Sequence, residues 1–256
     1  MNINQAFEIL KKSGGIRAAR IIMERYKKPH FWRILWYAIQ LRRGVPVAKI
    51  IHSKWFYGLD FYTNKHTLDP RPDTETLVEA VIKDCPNDEY RQILDMGTGT
   101  GCIICALCKN IANATGTAID IYRPALRVAQ RNIKKLALNN QIKLKHADFA
   151  NFKSDERFDI IVSNPPYIKR GDRRVNNGAQ FDPKIALYAD NDGMAAYEQI
   201  AKNAINLIKP NGKIYLEIGA GQSNQIIKIF DFFGWRFERA EKDLAGINRV
   251  LVFTVA

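Results

Sequence analysis

The tetrapeptide Asn164-Pro165-Pro166-Tyr167 holds the residues of this sequence that are best suited to chemistry. It follows the apolar run at residues 158–163. Because proline has no backbone N–H and a fixed φ, a strand that enters two prolines must stop pairing there. An asparagine at such a rigid corner can offer its side-chain carbonyl, and the neighbouring backbone carbonyls stay free. The pattern predicts fixed acceptors for an NH2 group with Tyr167 as a flat wall, although Asn-Pro alone is also an ordinary turn signal.

A glycine-rich loop precedes this corner in the chain. Residues 95–101 read Asp-Met-Gly-Thr-Gly-Thr-Gly, after one apolar strand and before a helix. Glycines let the backbone approach a ligand closely, and the free N–H groups of a helix N-terminus suit an anionic group such as a carboxylate. A dinucleotide-binding fold would use a similar loop. The candidate ligand-binding residues here are Gly97, Thr98, Gly99, Thr100 and Gly101.

Two acidic residues follow the next two predicted strands. Asp120 ends the second strand, where a carboxylate can accept both hydroxyls of a ribose. Asp148 and Phe149 end the third strand and offer an acceptor for an adenine amino group and a ring to stack on it. Each acid taken singly is also a common turn residue. Their order favours a single site, because ligands of parallel sheets bind at the carboxyl ends of the strands.

The elements that position these residues alternate along the chain. Short apolar strands are expected at 92–96, 114–120, 141–147, 158–163 and 213–218, with helices between them. One helix begins with Pro124 in its first turn and runs to residue 138, and another spans about 193–207. A capping box at Thr76–Glu79 predicts the start of a helix that ends near Lys83. This series predicts an α/β fold with a parallel sheet covered on both faces.

The last two strands, 234–240 and 249–255, have no helix between them and are expected to pair antiparallel. The resulting fold class is a seven-stranded, mostly parallel, Rossmann-like sheet with an antiparallel C-terminal hairpin. We expect three units: a helical domain at 1–44, a hairpin connector at 45–73 and the α/β domain at 74–256.

Glycine and proline divide the N-terminal unit into short helices. Asn4 and Gly14-Gly15 bracket the first helix, Pro29 ends the second, and Gly44 ends the third. One face of the third helix is expected to be apolar, and it comprises Phe31, Ile34, Leu35 and Ala38.

The net charge of +13 is concentrated at the N-terminus. Residues 1–64 hold twelve Lys and Arg against three acidic residues, a net charge of +9, which leaves +4 for the remainder. This quarter is either a docking surface for an acidic partner such as RNA or the ribosome, or an ordinary solvated helical surface. The sequence has neither a membrane-length apolar stretch nor a signal-peptide pattern at its start, so we expect a cytoplasmic protein without membrane contact.

Three cysteines, Cys102, Cys105 and Cys108, have a spacing that also occurs in iron–sulfur sites. They follow the glycine loop and lie on one face of a predicted helix, where small apolar thiols commonly pack against a sheet. The only available fourth ligand would be Cys85, and the four histidines are scattered. We expect neither a metal site nor a disulfide.

Taken together, these motifs resemble the class I S-adenosylmethionine-dependent methyltransferases that act on planar nitrogen. Further segments are similar to the release factor glutamine methyltransferases: Arg-Pro-Asp-Thr-Glu at 71–75, Phe-Tyr-Gly-Leu at 56–59, Phe-Asp-Pro at 181–183 with Ala-Leu at 186–187, and Asp-Leu-Ala-Gly at 243–246 with Asn-Arg-Val at 248–250. The resemblance extends from about residue 45 to the C-terminus.

This resemblance implies methyl transfer from S-adenosyl-L-methionine to the side-chain amide of the glutamine in the Gly-Gly-Gln motif of class 1 peptide chain release factors. It implies that the loop at 97–101 holds the methionine part of the cofactor, Asp120 the ribose, and Asp148 with Phe149 the adenine. Asn164 and the Pro165 carbonyl would accept from the substrate amide, Pro166 and Tyr167 would complete the substrate site, and the catalytic residues would be Asn164, Pro165 and Tyr167. Asn164 would also border the cofactor, and we expect a monomer.

Three residues depart from the family pattern. Asp69 stands where an apolar residue is usual, His52 where a glycine is usual, and Lys49 where a tyrosine is usual. The helical domain is also short by about twenty residues. These departures bear on how the N-terminal half holds its protein partner.

The segment at 168–193 shows little regular pattern and contains Lys169, Arg170, Arg173 and Arg174. Long loops inside compact domains are commonly functional, so a substrate lid is favoured over a tethered surface loop. Two alternative functions stay open. One is a nucleic-acid amino methyltransferase acting on adenine or guanine, since the same corner suits any planar NH2 group. The other is a non-catalytic module that binds a release factor or the ribosome.

Overall fold

The computed structural model describes residues 1–26, 28, 30–85, 89–172 and 177–256. Its strands are β1 (Lys54–Phe56), β2 (Leu59–Phe61), β3 (Arg91–Met96), β4 (Ala114–Asp120), β5 (Ile142–His146), β6 (Phe158–Ser163), β7 (Ile168–Lys169), β8 (Tyr188–Ala189), β9 (Ile208–Glu217), β10 (Trp235–Lys242) and β11 (Asn248–Val255). Its α-helices are α1 (Ile3–Arg25), α2 (Phe31–Arg42), α3 (Val47–Ile51), α4 (Pro72–Asp84), α5 (Cys102–Asn110), α6 (Arg123–Lys135), α7 (Ala195–Ala204) and α8 (Ser223–Phe232).

Seven strands form the central sheet in the order β10-β11-β9-β6-β3-β4-β5. β9, β6, β3, β4 and β5 pair parallel, while β11 pairs antiparallel with both β9 and β10. The predicted fold class is therefore confirmed. The chain moves outward from β3 to β5 and then returns to β6 on the other side of β3. Such a reversal opens a crevice at the carboxyl ends of the strands, where ligands of this architecture bind.

Helices cover both faces of the sheet because neighbouring residues of a strand point to opposite sides. In β3, Ile93 joins the apolar cluster that includes α4 and α5, while Leu94 joins the cluster formed with α7 and α8. The three cysteines of α5 lie in the first cluster and are buried, and burial raises the pKa of Cys102 to about 12. The interpretation of these thiols as packing groups is confirmed. All four cysteines of the chain are described and free.

The first helix is longer than predicted and contains the expected break. α1 begins at Ile3 behind a capping box in which Asn2 accepts from the Gln5 N–H at 2.9 Å, so Asn4 is not the cap. Gly15 interrupts the helix with φ 84° and ψ 168°, at the position where the glycine pair predicts a boundary. Pro29, the predicted end of the second helix, lies outside the described residues.

α2 corresponds to the third helix predicted from the sequence, and the apolar face predicted for it is partly wrong. Ile34 and Ala38 are buried, but Phe31 and Leu35 are 49% and 39% exposed. The buried face consists instead of Ile34, Tyr37, Ala38 and Leu41. Packing against α1 and α3 decides which stripe is buried, and α2 is apolar on more than one side.

α3 lies in the stretch predicted as connector. Its Ile50 and Ile51 pack in the same cluster as α1 and α2, so the helical packing continues past residue 44. The predicted hairpin follows and is confirmed: β1 and β2 pair antiparallel around a Tyr57-Gly58 turn. The division into three domains stays a prediction.

α4 begins at Pro72 with Arg71 at the N-cap, four residues before the predicted capping box. A proline at the first helical position has the right φ and no N–H to satisfy, so it starts the helix, and Thr76 lies inside. Within the described residues, no helix is long and apolar enough to cross a membrane.

Candidate active site

A cavity of about 290 Å³ opens at the carboxyl ends of β3, β4 and β6. It gathers most of the residues that the sequence predicts to bind a ligand: Gly97, Thr98, Gly99, Thr100, Asp120, Asp148, Phe149, Asn164 and Pro166. Tyr167 lines a neighbouring cavity of about 300 Å³, which it shares with Asn164. Pro165 is buried and lines neither of these cavities.

The glycine loop has the backbone conformation that only glycine adopts easily. Gly97 and Gly99 have φ of 79° and 55°, and nothing lies within 4 Å of a Cβ built at either position. The Gly97 and Thr98 N–H groups donate to the Ile119 carbonyl at 2.9 Å, which ties the loop to β4. The loop therefore presents open backbone to the cavity.

Gly101 serves a different purpose from the two preceding glycines. It has φ 78° and precedes α5, and a Cβ there would lie 3.3 Å from the Ala129 Cβ. Gly101 thus allows close packing of α5 on α6, and its contact with a ligand stays a prediction.

Asp120 is held by two backbone donors at the end of β4. Its carboxylate accepts from the Gly99 N–H at 2.9 Å and from the Tyr122 N–H at 2.8 Å. Burial raises its pKa, and the two N–H donors oppose that rise. Each carboxylate oxygen has a further lone pair, so the side chain can still accept from two adjacent hydroxyls.

Asp95 is a buried acid for which the sequence suggested no role. Thr98 donates its hydroxyl to Asp95 Oδ2 at 2.6 Å, while Oδ1 has no hydrogen-bond partner among the described residues. Burial, together with the nearby charge of Asp120, raises the pKa of Asp95 to about 7. The side chain supports the glycine loop from beneath.

Asp148 and Phe149 lie just beyond the end of β5. The Asp148 carboxylate accepts from the Ala150 N–H at 2.9 Å. Asn203 of α7 donates to the Phe149 carbonyl at 2.7 Å, and the Phe149 ring packs against the cluster formed with α7 and α8. The ring that the sequence predicts for stacking is thus fixed at the wall of the cavity.

Asn164 is oriented by two side chains that the sequence analysis did not identify. Its Nδ2 donates to Thr74 Oγ1 at 3.3 Å. Glu217, at the end of β9, is buried, and burial raises its pKa to about 7 although hydrogen bonds from Thr74 and Asn164 lower it. Because the NH2 group faces Thr74 and Glu217, Oδ1 is turned the other way and can accept from a ligand.

The backbone of Tyr167 is clamped from two sides. Gln222 donates from Nε2 to the Tyr167 carbonyl at 3.1 Å. A Cβ at Gly193 would lie 2.3 Å from the same carbonyl oxygen, and one at Gly219 would lie 3.1 Å from Tyr167 Cδ2. The rigid corner predicted from the two prolines is therefore held by its neighbours as well.

The sequence contains a signal for each of the two residues that orient Asn164, Glu217 and Thr74, although neither was predicted as a site residue. Glu217 is a carboxylate that follows the apolar residues 214–216 at the carboxyl end of a strand, where functional groups of parallel sheets collect. Thr74 belongs to the segment at 71–75 that carries the family resemblance. No spacing rule connects either residue with Asn164.

The segment predicted as a lid forms part of the cavity wall. It contains β7, β8 and three short 3-10 turns, and Ile185, Ala186 and Tyr188 line the cavity. Lys169 pairs with Asp192 at 2.6 Å. Arg170 pairs with Asp190 at 2.6 Å. Arg173 and Arg174 lie outside the described residues.

No group of three or more His, Cys, Asp or Glu within the described ranges is arranged to hold a metal ion.

Comparison with known proteins defines the class. Residues 68–181 match the family model of the methyltransferase small domain. The fold is similar to the crystal structure of a methyltransferase from Pyrococcus furiosus, with a TM-score of 0.56 and 19% sequence identity over 87% of this chain and 95% of that one. The sheet, the glycine loop and these similarities define a class I methyltransferase fold.

Curated relatives identify the family. The chain is 40% identical to the release factor glutamine methyltransferase of Streptococcus pneumoniae, over 83% of this chain and 76% of that protein. It belongs to the release factor glutamine methyltransferase family. It is also 37% identical to the bifunctional methyltransferase of Rickettsia felis, over 82% of this chain but 45% of that protein, so the chain spans less than half the length of that relative.

Proposed function

We propose that this protein methylates the side-chain amide nitrogen, N5, of the glutamine in the Gly-Gly-Gln motif of class 1 peptide chain release factors, with S-adenosyl-L-methionine as the methyl donor. The observation that carries this proposal is the orientation of Asn164, whose NH2 group faces Thr74 at the edge of the cavity. Its carbonyl is then the group available to an incoming NH2. Membership of the release factor glutamine methyltransferase family supports the substrate.

The residues of the cavity fit S-adenosyl-L-methionine. Gly97 and Gly99 leave room for close backbone approach, and the loop ends at the N-terminus of α5. Asp120 can accept two ribose hydroxyls, and Phe149 offers a ring at the cavity wall. When bound, the cofactor supplies a methyl group activated by its positively charged sulfur.

The acceptors at Asn164 and Pro165 would act on the amide nitrogen of the substrate, which is a weak nucleophile. An amide nitrogen attacks poorly because its lone pair is delocalised into the carbonyl. If Asn164 Oδ1 and the Pro165 carbonyl take the two amide hydrogens in a tetrahedral arrangement, the lone pair is freed for attack. These acceptors hold the nitrogen more tightly as it becomes positive, which lowers the barrier.

The chain needs no dedicated base before transfer, since the methylated cationic nitrogen loses its proton readily. Positioning by a fixed corner then supplies much of the remaining rate enhancement. The clamp on Tyr167 from Gln222 serves this purpose, because it fixes the backbone that follows the two prolines.

One observation favours the alternative substrate, a nucleic-acid amino group. Trp32 and Trp36 of α2 are 77% and 48% exposed on the basic helical domain. Exposed aromatic rings among basic side chains are typical of surfaces that bind single-stranded nucleic acid. The same surface supports the contact with RNA or the ribosome that the charge distribution suggests, and a steep salt dependence of binding would accompany it.

The test is incubation of the purified protein with S-adenosyl-L-methionine and a purified class 1 release factor, followed by peptide mass spectrometry. We expect one methyl group on the glutamine of the Gly-Gly-Gln motif and none on a release factor in which that glutamine is replaced by alanine. A parallel reaction contains an RNA oligonucleotide and a DNA oligonucleotide. Methylation of the oligonucleotides but not of the release factor would overturn the proposed substrate.

A further inference from the structure

Two of the three departures from the family pattern meet inside the molecule. Lys49 Nζ lies 2.9 Å from Asp69 Oδ1 and also 2.9 Å from Asp182 Oδ1. The other oxygen of Asp182 lies 2.8 Å from Arg71 Nη2. Two cations and two anions therefore form one neutral cluster. The side chains of Lys49, Asp69 and Asp182 are 5%, 8% and 2% exposed.

Neutral partners complete the surroundings of the ammonium group. Lys49 donates to the Asn64 carbonyl at 2.7 Å and to the Thr67 carbonyl. Thr63 donates its hydroxyl to Asp69 Oδ1 at 2.6 Å. A buried charge is tolerated when it is paired and hydrogen-bonded. Lys49 and Asp69 meet both conditions, whereas Asp182 Oδ1 is paired with Lys49 but accepts no hydrogen bond from the described residues.

The cluster joins three separate parts of the chain. Lys49 lies on α3, which packs with the N-terminal helices. Asp69 and Arg71 lie in the stretch that leads into α4, and Asp182 lies between two 3-10 turns of the segment that follows the active-site corner. The cluster thus joins α3, which packs on the N-terminal helices, to two stretches of the chain that are distant from each other in sequence.

Both stretches are walls of the cavity. Residues 66–71 line one side, with Asp69 and Arg71 among them. Pro183, Ile185 and Ala186 line it from the other segment, directly after Asp182. Any loosening of the cluster is therefore transmitted to the shape of the cavity.

We propose that Lys49 and Asp69 are a matched pair of positioning residues that fasten both walls of the cofactor cavity to α3 and so set the affinity for the cofactor. This inference rests on the proposed function in one respect, namely that the cavity binds S-adenosyl-L-methionine. The two side chains carry opposite charges and lie 2.9 Å apart, so each balances the other.

The charge balance explains why the effects of replacing Lys49 and Asp69 are expected to be coupled. Removal of Lys49 alone leaves two buried carboxylates with Arg71 as their cation. Removal of Asp69 alone leaves two cations facing Asp182. Replacement of both leaves Arg71 with Asp182, a balanced pair. Replacing a complete buried ion pair by apolar groups is far better tolerated than removing one partner.

The experiment is a double-mutant cycle of Lys49→Met, Asp69→Leu and the double variant, with Lys49→Arg as the conservative change. Lys135→Met is the matched control. Lys135 Nζ also forms an ion pair with a residue of the predicted connector, 2.9 Å from Asp60 Oδ2, but this lysine side chain is exposed at the surface. Thermal unfolding, hydrogen exchange of residues 64–71 and 177–189, and calorimetric titration with S-adenosylhomocysteine are measured for each. The titrations are made at a temperature at which every variant is folded.

We expect Lys49→Met and Asp69→Leu each to weaken S-adenosylhomocysteine binding by about five- to twentyfold and to speed exchange in both walls. The double variant should bind more tightly than either single variant. Lys49→Arg, which keeps the charge in a larger group, should bind more tightly than Lys49→Met, and Lys135→Met should bind as the parent does. Unchanged affinity in the folded single variants, or a double variant that shows the sum of the single effects, would overturn the inference.

Failure of the proposed function would look different. A parent chain that binds S-adenosylhomocysteine but methylates no release factor would overturn the substrate and leave the positioning role intact. A parent chain that does not bind S-adenosylhomocysteine would overturn the cofactor assignment and, with it, the affinity role of the pair.

Discussion

The side-chain amide nitrogen of Asn164 lies 3.3 Å from the hydroxyl oxygen of Thr74, which joins the Asn-Pro-Pro-Tyr corner to the first turn of α4. Thr74 is buried, and Glu217 adds a second acceptor at the end of β9. The direction of the Asn164 carbonyl is thus fixed before any substrate arrives. Dipoles that are aligned in advance stabilise a developing charge without the cost of reorganisation.

The first prediction concerns Asn164 as an acceptor. Asn164→Ala removes one of the two carbonyls proposed to accept from the substrate amide, and we expect a loss of roughly 2–4 kcal/mol of transition-state stabilisation, by analogy with the loss of one aligned donor elsewhere. This corresponds to about a thirty- to thousandfold decrease in kcat/KM on a release factor. Cofactor binding should survive, and Asn206→Ala, at an exposed turn, is the control. Near-normal turnover by Asn164→Ala would contradict the mechanism.

How much of this site the sequence predicts depends on how far apart in the chain the contacting residues lie. The corner, the glycine loop and Asp120 are each recognisable locally, because their residue types suit one position at the end of a strand. The Asn164–Thr74 contact spans 90 positions in the chain, and no local pattern reports it. It depends on how α4 packs beside β9.

Two errors in the fold have different causes. The capping box at Thr76 predicted the start of α4, but Pro72 begins the helix earlier because its fixed φ suits the first position. The face of α2 was misjudged because the helix is apolar around much of its circumference. In such a helix only the neighbouring helices decide which side is buried.

The second prediction concerns Asp120 and the ribose. Asp120→Asn replaces an acceptor of the Gly99 or Tyr122 N–H by an NH2 group and removes the charge that would bind two hydroxyls. Hydrogen bonds to charged groups contribute about 1.5–3 kcal/mol each, so we expect S-adenosylhomocysteine to bind about ten- to hundredfold more weakly in calorimetry. Asp155→Asn, on an exposed loop, should bind normally. Equal affinities of both variants would remove Asp120 from the cofactor site.

The third prediction concerns the pH dependence of stability. Burial raises the pKa of Glu217 from 4.5 to about 7. Burial also raises the pKa of Asp95, from 3.8 to about 7. Between the unfolded and folded pKa values the folded protein binds more protons than the unfolded chain. Each group therefore contributes stability that is fully present below its unfolded pKa and is lost as the pH rises to about 7, at about 1.4 kcal/mol per pH unit.

Glu217→Gln isolates one of these two contributions. The amide keeps an acceptor for Thr74 but does not ionise, so the free energy of unfolding should fall less steeply between pH 5 and pH 7 than in the parent. The slope should decrease by up to about 1.4 kcal/mol per pH unit, and the contribution of Asp95 should remain. Urea unfolding of both proteins at several pH values measures the slope of the free energy of unfolding against pH. Identical slopes in both proteins would show that Glu217 is ionised throughout this range.

The fourth prediction separates backbone strain from the clamp on Tyr167. Gly193 and Gly221 have φ of 89° and 82°, so alanine at either position costs about 1–2 kcal/mol of left-handed strain. At Gly221 nothing lies within 4 Å of the new Cβ, whereas at Gly193 the Tyr167 carbonyl oxygen is 2.3 Å away. Gly193→Ala must therefore displace the active-site corner, and Gly221→Ala need not.

We expect Gly193→Ala to be less stable than Gly221→Ala, because the clash adds to the strain, and to lose more turnover than this lower stability explains. Gly193→Ala should lower kcat on a release factor at least tenfold below that of Gly221→Ala, a difference of about 1.4 kcal/mol in the activation barrier. Kinetics at a temperature at which both variants are folded, beside their thermal unfolding, provide the measurement. If both lose activity only in proportion to their stability, the carbonyl of Tyr167 has no part in holding the corner, and the two prolines alone keep it rigid.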